Sequence, residues 1–315
     1  MELTGKRLLV TGGAGLIGTA LTRRLVTDNE VRVVDDLSNG IRDAVPEAAT
    51  FVEGDLTDPE VVAEVLTPDI DAVFHLAADK YVDADRPREQ FEVNEAMTYN
   101  VLERMDDVGV DNVLFTSSST VYGEAPRPTP EDYAPMDPIS EYGAAKLAEE
   151  GLLSVYAHTR GFTVWNVRFA NIVGPRYGAG VVPDFVYKLQ TNPDSLTILG
   201  NGRQEKSYMH LEDCVDAMCH VIEHADDEMN TYNLGTRTTT SVTRIADIVS
   251  DEMGLDPEYE YTGGDRGWDG DVPKMRLSIE KLSALGWDPS LSSDETIRQG
   301  VRDLLDSPEN EPHLS

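Results

Sequence analysis

Short apolar runs alternate with longer segments of helical periodicity through the first half of the chain. The apolar runs fall at 6–11, 31–36, 50–52, 71–77, 112–117 and 163–169. Between them, apolar residues recur every three or four positions, as on one buried helix face, at 14–28, 58–66, 87–108 and 140–160. Buried strands that alternate with helices predict an α/β fold built on a doubly wound parallel sheet.

After Arg168 the elements become shorter and are separated by Gly and Pro. Helical periodicity returns at 181–191, 211–224, 241–253, 278–285 and 293–306, and strand-like runs lie at 196–213 and 231–235. We therefore predict a larger α/β domain over 1–171 with about 206–235, and a smaller C-terminal α/β domain over 172–205 and 236–315. The polar segment 307–315 is expected to fray.

A glycine-rich turn links the first apolar run to the first helix. Gly12, Gly15 and Gly18 are spaced three apart in TGGAGLIG, so the backbone can turn tightly and a pyrophosphate can approach the helix N-terminus. Asp35 ends the next strand, where a carboxylate accepts hydrogen bonds from an adenosine ribose and disfavours a 2′-phosphate. This Rossmann-type arrangement predicts NAD rather than NADP. Asp55 follows the third strand, where it either reaches the adenine or caps a helix.

The candidate chemistry lies in the stretches TSSSTVYG (116–123) and EYGAAK (141–146). Tyr142 and Lys146 are four residues apart and share one helix face. A Lys ammonium beside a Tyr phenol is expected to lower the pKa of the phenol, which can then act as general base toward an alcohol. Ser118, from the end of the preceding strand, is placed to hold the reacting oxygen. Taken alone, the Tyr/Lys spacing also fits an ordinary surface pair on an amphipathic helix.

The charge of the chain indicates its surroundings rather than its chemistry. Its 315 residues include 26 Lys and Arg against 58 Asp and Glu, which gives a net charge of −32. Such a surface repels nucleic acid and anionic membranes. It indicates adaptation to a high-salt cytoplasm, where dissolved salt screens the self-repulsion.

Targeting and redox signals point to the same compartment. No apolar run approaches the roughly 18 residues of a membrane span, and the N-terminus enters a strand without a secretory signal. The spacing of Cys214 and Cys219 suits neither a disulfide nor a zinc site, which favours a cytoplasmic location.

One further motif resembles a metal site. The segment HVIEH, from His220 to His224, matches the H-x-x-E-H pattern of inverted zinc proteases. The sequence offers no third ligand with supporting context, and the segment belongs to an amphipathic helix. We therefore interpret it as a solvated helix face and expect no metal site.

Together these motifs resemble the extended short-chain dehydrogenase/reductase family and, within it, the UDP-glucose (UDP-galactose) 4-epimerases. The resemblance spans about 6–306 and rests on TGGAGLIG, VVDDLSNG, HLAA, SSSTVYG, YGAAK, RFANIVGPR and DRGWDGD. It implies NAD-dependent epimerisation at C4 of a UDP-hexose through a transient 4-keto intermediate. It also implies that Tyr142 is the base, that Lys146 holds Tyr142 charged, and that Ser118 binds the reacting oxygen. The first domain would bind NAD and the second the UDP-sugar.

The same resemblance assigns further residues to binding. With the residues of the glycine turn, Asp35, Asp55, Tyr142 and Lys146, those expected to line the NAD are Leu16, Ile17, Asp36, Asn39, Leu56, Leu76, Ala77, Ala78, Lys80 and Asn94. With Ser118 and Tyr142, those expected to contact the UDP-sugar are Asn171, Lys206, Arg266 and Met275. A structural role is the alternative for Asn94, and solvated surface charge is the alternative for Lys206 and Arg266.

Two of these positions depart from the family pattern. Lys206 stands where the family usually has Arg, and a Lys ammonium lacks the bidentate fork for a diphosphate. Met275 falls near a position where many bacterial epimerases have Tyr, and the flexibility of Met is expected to admit bulkier sugars. The segment 266–271 is also longer than the usual pattern.

Related reactions on the same fold compete with this interpretation. Sugar-nucleotide 4,6-dehydratases carry an Asp-Glu pair after the catalytic hydroxyl, where this chain has Ser119 and Thr120. Neither side chain can shuttle the proton that loss of water requires, so epimerisation is favoured. The motifs also fit a 4-epimerase of UDP-glucuronate or of a UDP-N-acetylhexosamine, a net dehydrogenase, and a non-catalytic NAD-sensing scaffold.

The resemblance also implies a homodimer. The helices predicted over 90–108 and 142–160 would lie side by side and pair across a two-fold axis. The apolar side chains proposed for that contact are Val93, Met97, Val101, Leu147 and Leu152.

Overall fold

The computed structural model describes residues 1–80, 86–175, 178, 180–267 and 270–306. The strands are β1 (Arg7–Thr11), β2 (Glu30–Asp35), β3 (Thr50–Glu53), β4 (Ala72–His75), β5 (Asn112–Ser118), β6 (Thr163–Phe169), β7 (Asn171–Val173), β8 (Ser195–Ile198), β9 (Glu205–Lys206), β10 (Tyr208–His210), β11 (Met229–Leu234), β12 (Thr240–Ser241), β13 (Glu258–Tyr261) and β14 (Lys274–Met275). The helices are α1 (Leu16–Leu25), α2 (Pro59–Val65), α3 (Pro87–Val108), α4 (Glu141–Arg160), α5 (Val181–Thr191), α6 (Leu211–His224), α7 (Val242–Met253), α8 (Glu280–Ala284) and α9 (Ser293–Asp306). The segment 307–315, expected to fray, lies outside the described residues.

The main sheet is parallel and doubly wound, as the alternating pattern predicted. In the described part of the chain it has seven strands in the order β3-β2-β1-β4-β5-β6-β11. Strand β1 pairs in parallel with β2 on one side and with β4 on the other. The chain therefore runs outward from β1 to β3 and then resumes on the opposite side of β1. In such sheets, ligands bind beyond the carboxyl ends of the strands that flank this reversal.

The chain divides into two compact units. The first comprises Met1–Val121, Ser140–Arg168 and Val215–Tyr232, and the second comprises Tyr122–Ile139, Phe169–Cys214 and Asn233–Ser315. The sequence placed 122–139, 169–171, 206–214 and 233–235 in the first domain, whereas here they belong to the second unit. Long-range hydrogen bonds explain the difference for 122–139.

Those hydrogen bonds join 122–139 to residues more than a hundred positions later. The hydroxyl of Tyr122 donates to Oδ1 of Asn233 at 2.8 Å. The backbone N–H of Thr129 donates to the carbonyl of Arg276, and the carbonyl of Thr129 accepts from the N–H of Ser278. Local periodicity carries no signal for contacts of this range.

Helices α3 and α4 pack side by side in the first unit. The Oγ of Ser140 caps α4 by accepting the backbone N–H of Gly143 at 3.1 Å, and Gly161 ends the helix in the left-handed region at φ 76°. The apolar faces of the two helices are buried against the sheet in one core. Each fully buried side chain of Leu or Phe size stabilises such a core by about 1.5–3 kcal/mol. The start of α4, which carries Tyr142, is thereby fixed.

Two side chains proposed for a dimer contact face this core instead. Met97 and Val101 are 8% and 1% exposed and pack within the first unit. The prediction that they supply contact surface is wrong, because the i, i+4 row that they share is the row that faces the sheet. The large apolar side chains that α3 and α4 do expose are Tyr99 and Val155.

The second unit has its own core and short strand pairs. Helices α5, α7 and α9 pack around β8 and β10, β13 pairs in parallel with β8, and β9 lies between β12 and β14. The strand-like run at 196–213 is in fact β8, a loop, β9 and β10. No helix in the described ranges is both long and apolar enough to cross a bilayer.

Candidate active site

The glycine turn forms a close-fitting cradle at the carboxyl end of β1. Gly12 has φ 65°, and a Cβ there would lie 2.7 Å from the backbone nitrogen of Ala77. A Cβ at Gly18 would lie 2.2 Å from the carbonyl oxygen of Gly12. Both approaches involve backbone atoms that cannot rotate away, so neither position tolerates a side chain. Such a cradle, which opens onto the start of α1 near Gly15, Leu16 and Ile17, fits a dinucleotide pyrophosphate.

Asp35 lies at the end of β2 and faces this turn. Its Oδ2 accepts the backbone N–H of Ala14 at 3.0 Å, and its Oδ1 accepts that of Leu37 at 2.9 Å. Burial raises the pKa of Asp35, and the two backbone hydrogen bonds oppose that rise. Each oxygen retains a second lone pair, so the carboxylate can still accept ribose hydroxyls. Asp36 and Asn39 are exposed on the turn that follows.

The next two candidates lie after β3. Oδ1 of Asp55 accepts the N–H of Thr57 at 2.8 Å. The cap of α2 is Asp58, which accepts the N–H of Glu60. Asp55 is therefore not a helix cap, and it is exposed at the sheet edge. The side chain of Leu56 is 3% exposed and belongs to the core of the first unit, so its backbone is the part left for a ligand.

The loop after β4 is held from both sides. Oγ1 of Thr11 accepts the backbone N–H groups of Leu76 and Ala77 at 3.1 and 3.2 Å. Asn94 is fully buried in α3, where its amide bonds both backbone groups of Asp79. A third hydrogen bond to the carbonyl of Gln90 leaves Asn94 little capacity for a cofactor. These contacts favour a structural role for Asn94 over cofactor binding.

The outer part of the same loop is more accessible. Ala78 is partly exposed, and Lys80 is exposed at the end of this described segment.

Ser118, Tyr142 and Lys146 all belong to the first unit. Ser118 ends β5, and its Oγ accepts the backbone N–H and the hydroxyl of Thr120 at 3.2 and 3.0 Å. Tyr142 and Lys146 lie on the first two turns of α4. The Nζ of Lys146 lies 6.0 Å from the ring centroid of Tyr142 and 4.5 Å from that of Phe115. The predicted shared helix face is therefore present.

The ammonium of Lys146 is buried without a hydrogen-bond acceptor. Its side chain is 1% exposed, and no acceptor among the described residues meets hydrogen-bond geometry with Nζ. The nearest carboxylate oxygen is Oε2 of Glu149, at 3.2 Å, and it too makes no aligned hydrogen bond within those residues. A buried cation with unused donors fits a site that receives hydroxyl groups from a ligand.

The predicted direction of the Tyr142 shift is wrong for this state of the protein. Burial and the charge of Glu149 raise the pKa of Tyr142 above its usual value. The prediction included the effect of Lys146 alone. Glu149, three residues further along the same face, neutralises that ammonium and adds a negative charge near the phenol.

The candidate substrate residues lie in the second unit. Lys206 in β9 forms an ion pair with Asp271, and Arg266 forms one with Glu124. Met275 is 8% exposed and lies in register with Lys206 across the β9–β14 pair. The structure thus joins Lys206 and Arg266 through Asp271, whose carbonyl accepts from Arg266, and places Met275 beside Lys206. Residues 268 and 269 of the longer segment lie outside the described residues.

Asn171 and a neighbouring cavity complete this unit's candidates. Nδ2 of Asn171, at the start of β7, is buried and has no hydrogen-bond partner within the described chain, which suits a residue that meets a ligand. A cavity of about 380 Å³ is lined by charged side chains that include Arg127, Arg203 and Lys274, with Glu124 and Asp265. Its volume is in the range of small-molecule sites.

The buried polar residues behind Lys146 were not predicted from the sequence. Glu149 bonds Thr98 of α3, and Glu150 forms a buried ion pair with Arg168 of β6. A signal was present, because Glu149 follows Lys146 by three residues and so falls on the face that the periodicity assigned to the interior.

The HVIEH segment lies on α6. The rings of His220 and His224 stack with centroids 4.0 Å apart. In the part of the chain that the structure describes, no group of three or more His, Cys, Asp or Glu is arranged to hold a metal ion.

Comparison with known proteins gives consistent matches over most of the chain. A model described as the NAD dependent epimerase/dehydratase family matches residues 8–235. A UDP-glucose 4-epimerase from Mycolicibacterium smegmatis is 32% identical over 310 residues, which cover 94% of this chain and 97% of that protein.

Two solved structures give the same result. The UDP-glucose 4-epimerase of Thermotoga maritima with UDP-glucose superposes with a TM-score of 0.87 at 32% identity, covering 94% of this chain and 98% of that one. The UDP-glucose 4-epimerase of Thermus thermophilus in complex with NAD superposes with a TM-score of 0.83, also at 32% identity and with the same coverage.

Proposed function

The chain belongs to the NAD-dependent epimerase/dehydratase family, and we propose that it epimerises C4 of a UDP-hexose, interconverting UDP-glucose and UDP-galactose with NAD as cofactor. One observation carries the proposal. Ser118 ends β5, and Tyr142 and the buried Lys146 begin α4, in the unit whose Gly12 turn fits a dinucleotide. Relatives and solved structures that bear the name of this activity match the chain almost end to end.

The residues of the first unit divide the proton chemistry among them. Tyr142 takes the proton from the sugar 4-hydroxyl, and the hydroxyl of Ser118 donates a hydrogen bond to the same oxygen. Lys146 favours the phenolate of Tyr142 and has unused N–H donors for the cofactor ribose. NAD, when bound, supplies the hydride acceptor for C4. The flat 4-keto sugar then presents its other face, the same hydride returns to C4, and Tyr142 returns the proton to the oxygen, so that C4 is inverted.

The residues of the second unit suit the rest of the substrate. Lys206 and Arg266 are the proposed cations for the diphosphate, and Asn171 offers an unused amide donor. Met275 packs beside Lys206 and is proposed to bound the sugar with a flexible apolar side chain.

The contacts of Ser118 favour epimerisation over 4,6-dehydration. The residues that follow it are Ser119, which is buried, and Thr120, which donates to Ser118. Neither carries a carboxyl group for protonating a leaving hydroxyl. We expect turnover of UDP-galactose in heavy water to leave C4 and C5 unlabelled, because the same hydride returns to C4 and C5 is never ionised. Deuterium at C5, or a 4-keto-6-deoxy product, would establish the dehydratase instead.

A panel of UDP-sugars tests the substrate. Incubation with UDP-glucose, UDP-galactose, UDP-glucuronate and UDP-N-acetylglucosamine, followed by chromatography, is expected to show interconversion of the first two. Conversion of only the acid or the N-acetyl sugar would reassign the substrate, and conversion of none would favour a non-catalytic NAD-binding protein.

Asp35 is proposed to select NAD over NADP. Asp35→Ser is expected to lower the NAD/NADP preference by about tenfold or more, because removal of the carboxylate removes the repulsion of a 2′-phosphate. Dissociation constants of both dinucleotides, measured by titration calorimetry, check this result. Glu53→Ser is the matched control, since Glu53 lies in register with Asp35 on the adjacent strand and is exposed. Equal wild-type affinity for the two dinucleotides would show that Asp35 does not meet the ribose.

A homodimer through α3 and α4 is proposed from their exposed apolar side chains. Tyr99 is 41% exposed on α3, and Val155 is 51% exposed on α4. Wild-type protein is expected to sediment as a dimer in molar salt, and Val155→Glu as a monomer, because a buried unpaired charge opposes association. Leu305→Glu on α9, another exposed apolar position, is the control. A wild-type monomer at micromolar concentration would refute the pairing.

The net charge and the two cysteines support a proposed location in a high-salt cytoplasm. The net charge of −32 supports adaptation to a high-salt medium. A cytoplasmic location is proposed with it, since Cys214 and Cys219 are both buried thiols.

A further inference from the structure

A buried chain of polar side chains joins the cofactor turn to the catalytic helix. Thr11 Oγ1 lies 2.7 Å from Nδ1 of His75, and Nε2 of His75 lies 3.0 Å from Oγ1 of Thr98. The hydroxyl of Thr98 donates to Oε1 of Glu149 at 2.5 Å, and Oε2 of Glu149 lies 3.2 Å from Nζ of Lys146. All five side chains are at most 2% exposed. They connect β1, β4, α3 and α4 within the first unit.

The contacts of Thr11 and Thr98 assign a direction to each hydrogen bond between these side chains. Oγ1 of Thr11 accepts two backbone N–H groups from the loop after β4, so its own proton points to Nδ1 of His75. The proton of His75 is therefore on Nε2 and donates to Thr98, which in turn donates to Glu149. Burial lowers the pKa of His75 to about 3, which keeps the ring neutral. Burial raises the pKa of Glu149, whereas the charge of Lys146 and the hydrogen bond from Thr98 oppose that rise and favour the ionised carboxylate that accepts at the end of this series.

The buried charges near Tyr142 sum to zero when its phenol is protonated. Glu149 and Lys146 form one neutral pair, and Glu150 and Arg168 form another, joined by two hydrogen bonds at 2.9 and 2.6 Å. Ionisation of Tyr142, which is half-buried beside these four buried side chains, would leave one net negative charge. In a region of low dielectric such an imbalance is strongly unfavourable.

Resting on the function proposed above, we propose that Glu149 is a positioning residue that acts through Lys146. It neutralises the ammonium and keeps the phenol of Tyr142 protonated until the positive charge of the oxidised dinucleotide enters the site. The protein without oxidised cofactor therefore holds no phenolate at this position. The series of hydrogen bonds from Thr11 connects the carboxylate of Glu149 to the loop beside Gly12. The cofactor cradle and the catalytic helix therefore share one hydrogen-bonded support.

Spectrophotometric titration of Tyr142 tests this role without any turnover. The tyrosinate absorbance of cofactor-free protein is measured against pH, with Tyr142→Phe in each background subtracted to isolate one phenol among twelve. In Glu149→Gln, Tyr142 is expected to ionise about one pH unit or more below the wild type, because a nearby negative charge is removed while the Thr98 acceptor is kept. An unchanged or higher pKa for Tyr142 would overturn the proposal.

Two further variants separate charge from shape. Glu149→Asp keeps the negative charge, and its Tyr142 is expected to titrate as in the wild type. A shift in the pKa of Tyr142 as large as that in Glu149→Gln would show that packing is the cause. Glu141→Gln removes one exposed carboxylate from the same helix and is expected to change nothing. If Glu141→Gln shifted the pKa of Tyr142 as much as Glu149→Gln, the net charge of the helix, rather than Glu149, would determine that pKa.

The wild-type protein supplies a test that needs no Glu149 variant to fold. Oxidised NAD is expected to lower the pKa of Tyr142, and reduced NAD, which lacks the ring charge, is expected to leave it near the cofactor-free value. Equal titrations with the two forms would overturn the proposal. None of these readouts depends on the sugar, so they fail or succeed separately from the assignment of UDP-hexose as substrate.

Discussion

Tyr142→Phe is expected to lower kcat for UDP-galactose epimerisation by about 10²–10⁴-fold, which is the contribution of a positioned general base. The substitution removes one oxygen and leaves the ring, the helix and the Gly12 cradle in place. NAD binding should therefore persist while the chemical step fails. Steady-state kinetics with a coupled UDP-glucose assay measures the first effect, and calorimetric titration with NAD measures the second.

Tyr156→Phe is the matched control for this experiment. Tyr156 lies on the same helix, is 2% exposed and packs edge-on against Phe162 at a centroid distance of 5.2 Å. Its substitution should leave kcat close to the wild-type value. A Tyr142→Phe enzyme with a near wild-type rate would remove Tyr142 from the role of base.

Lowering the salt concentration from about 3 M to about 0.1 M is expected to lower the melting temperature by about 10 °C or more, equivalent to a few kcal/mol of unfolding free energy for a chain of this size. The Debye length grows from under about 3 Å to about 10 Å over this range, so neighbouring carboxylates begin to repel one another. Helix α3 shows the imbalance, because its exposed acids include Glu92, Glu95, Glu103, Asp106 and Asp107.

The surface ion pairs should not reverse this trend. Arg88 with Glu92 is largely exposed, and pairs of this kind contribute about 0–1 kcal/mol and weaken in salt. Thermal melts in NaCl, with sucrose as a neutral stabiliser for comparison, measure the effect. A melting temperature that is independent of NaCl would show that the charge of −32 does not limit stability.

The sequence predicted those parts of the fold that depend on local periodicity. Strands such as β1 and β5 and helices such as α3 and α4 were placed within a few residues, because one face of each is continuously apolar. Strand β13, with the sequence EYEY, was missed. It is acidic and mostly exposed, and it pairs with β8 about sixty residues earlier in the chain, which no local pattern reveals.

The candidate site shows the same limit. The shared face of Tyr142 and Lys146 follows from helix geometry alone, and the structure has it. The acid–base balance on that face does not follow, since it depends on the burial of the phenol by tertiary packing and on the carboxylate of Glu149, which Thr98 of α3 holds in place. The net direction of the Tyr142 shift is therefore a property of the tertiary structure, and the helical spacing determines only one of its contributions.

In the second unit, the cations proposed for the diphosphate are already paired, Lys206 with Asp271 and Arg266 with Glu124. A diphosphate in the proposed complex does not approach bare cations. It displaces two carboxylates, and association becomes an exchange of anions in which the number of ion pairs is conserved. Salt screens both sides of such an exchange almost equally, whereas it weakens a simple attraction. The carboxylates of Asp271 and Glu124 therefore lower the affinity for the diphosphate in dilute buffer, but they also make that affinity less dependent on salt concentration. In this way an acidic protein can retain an anionic substrate at molar ionic strength.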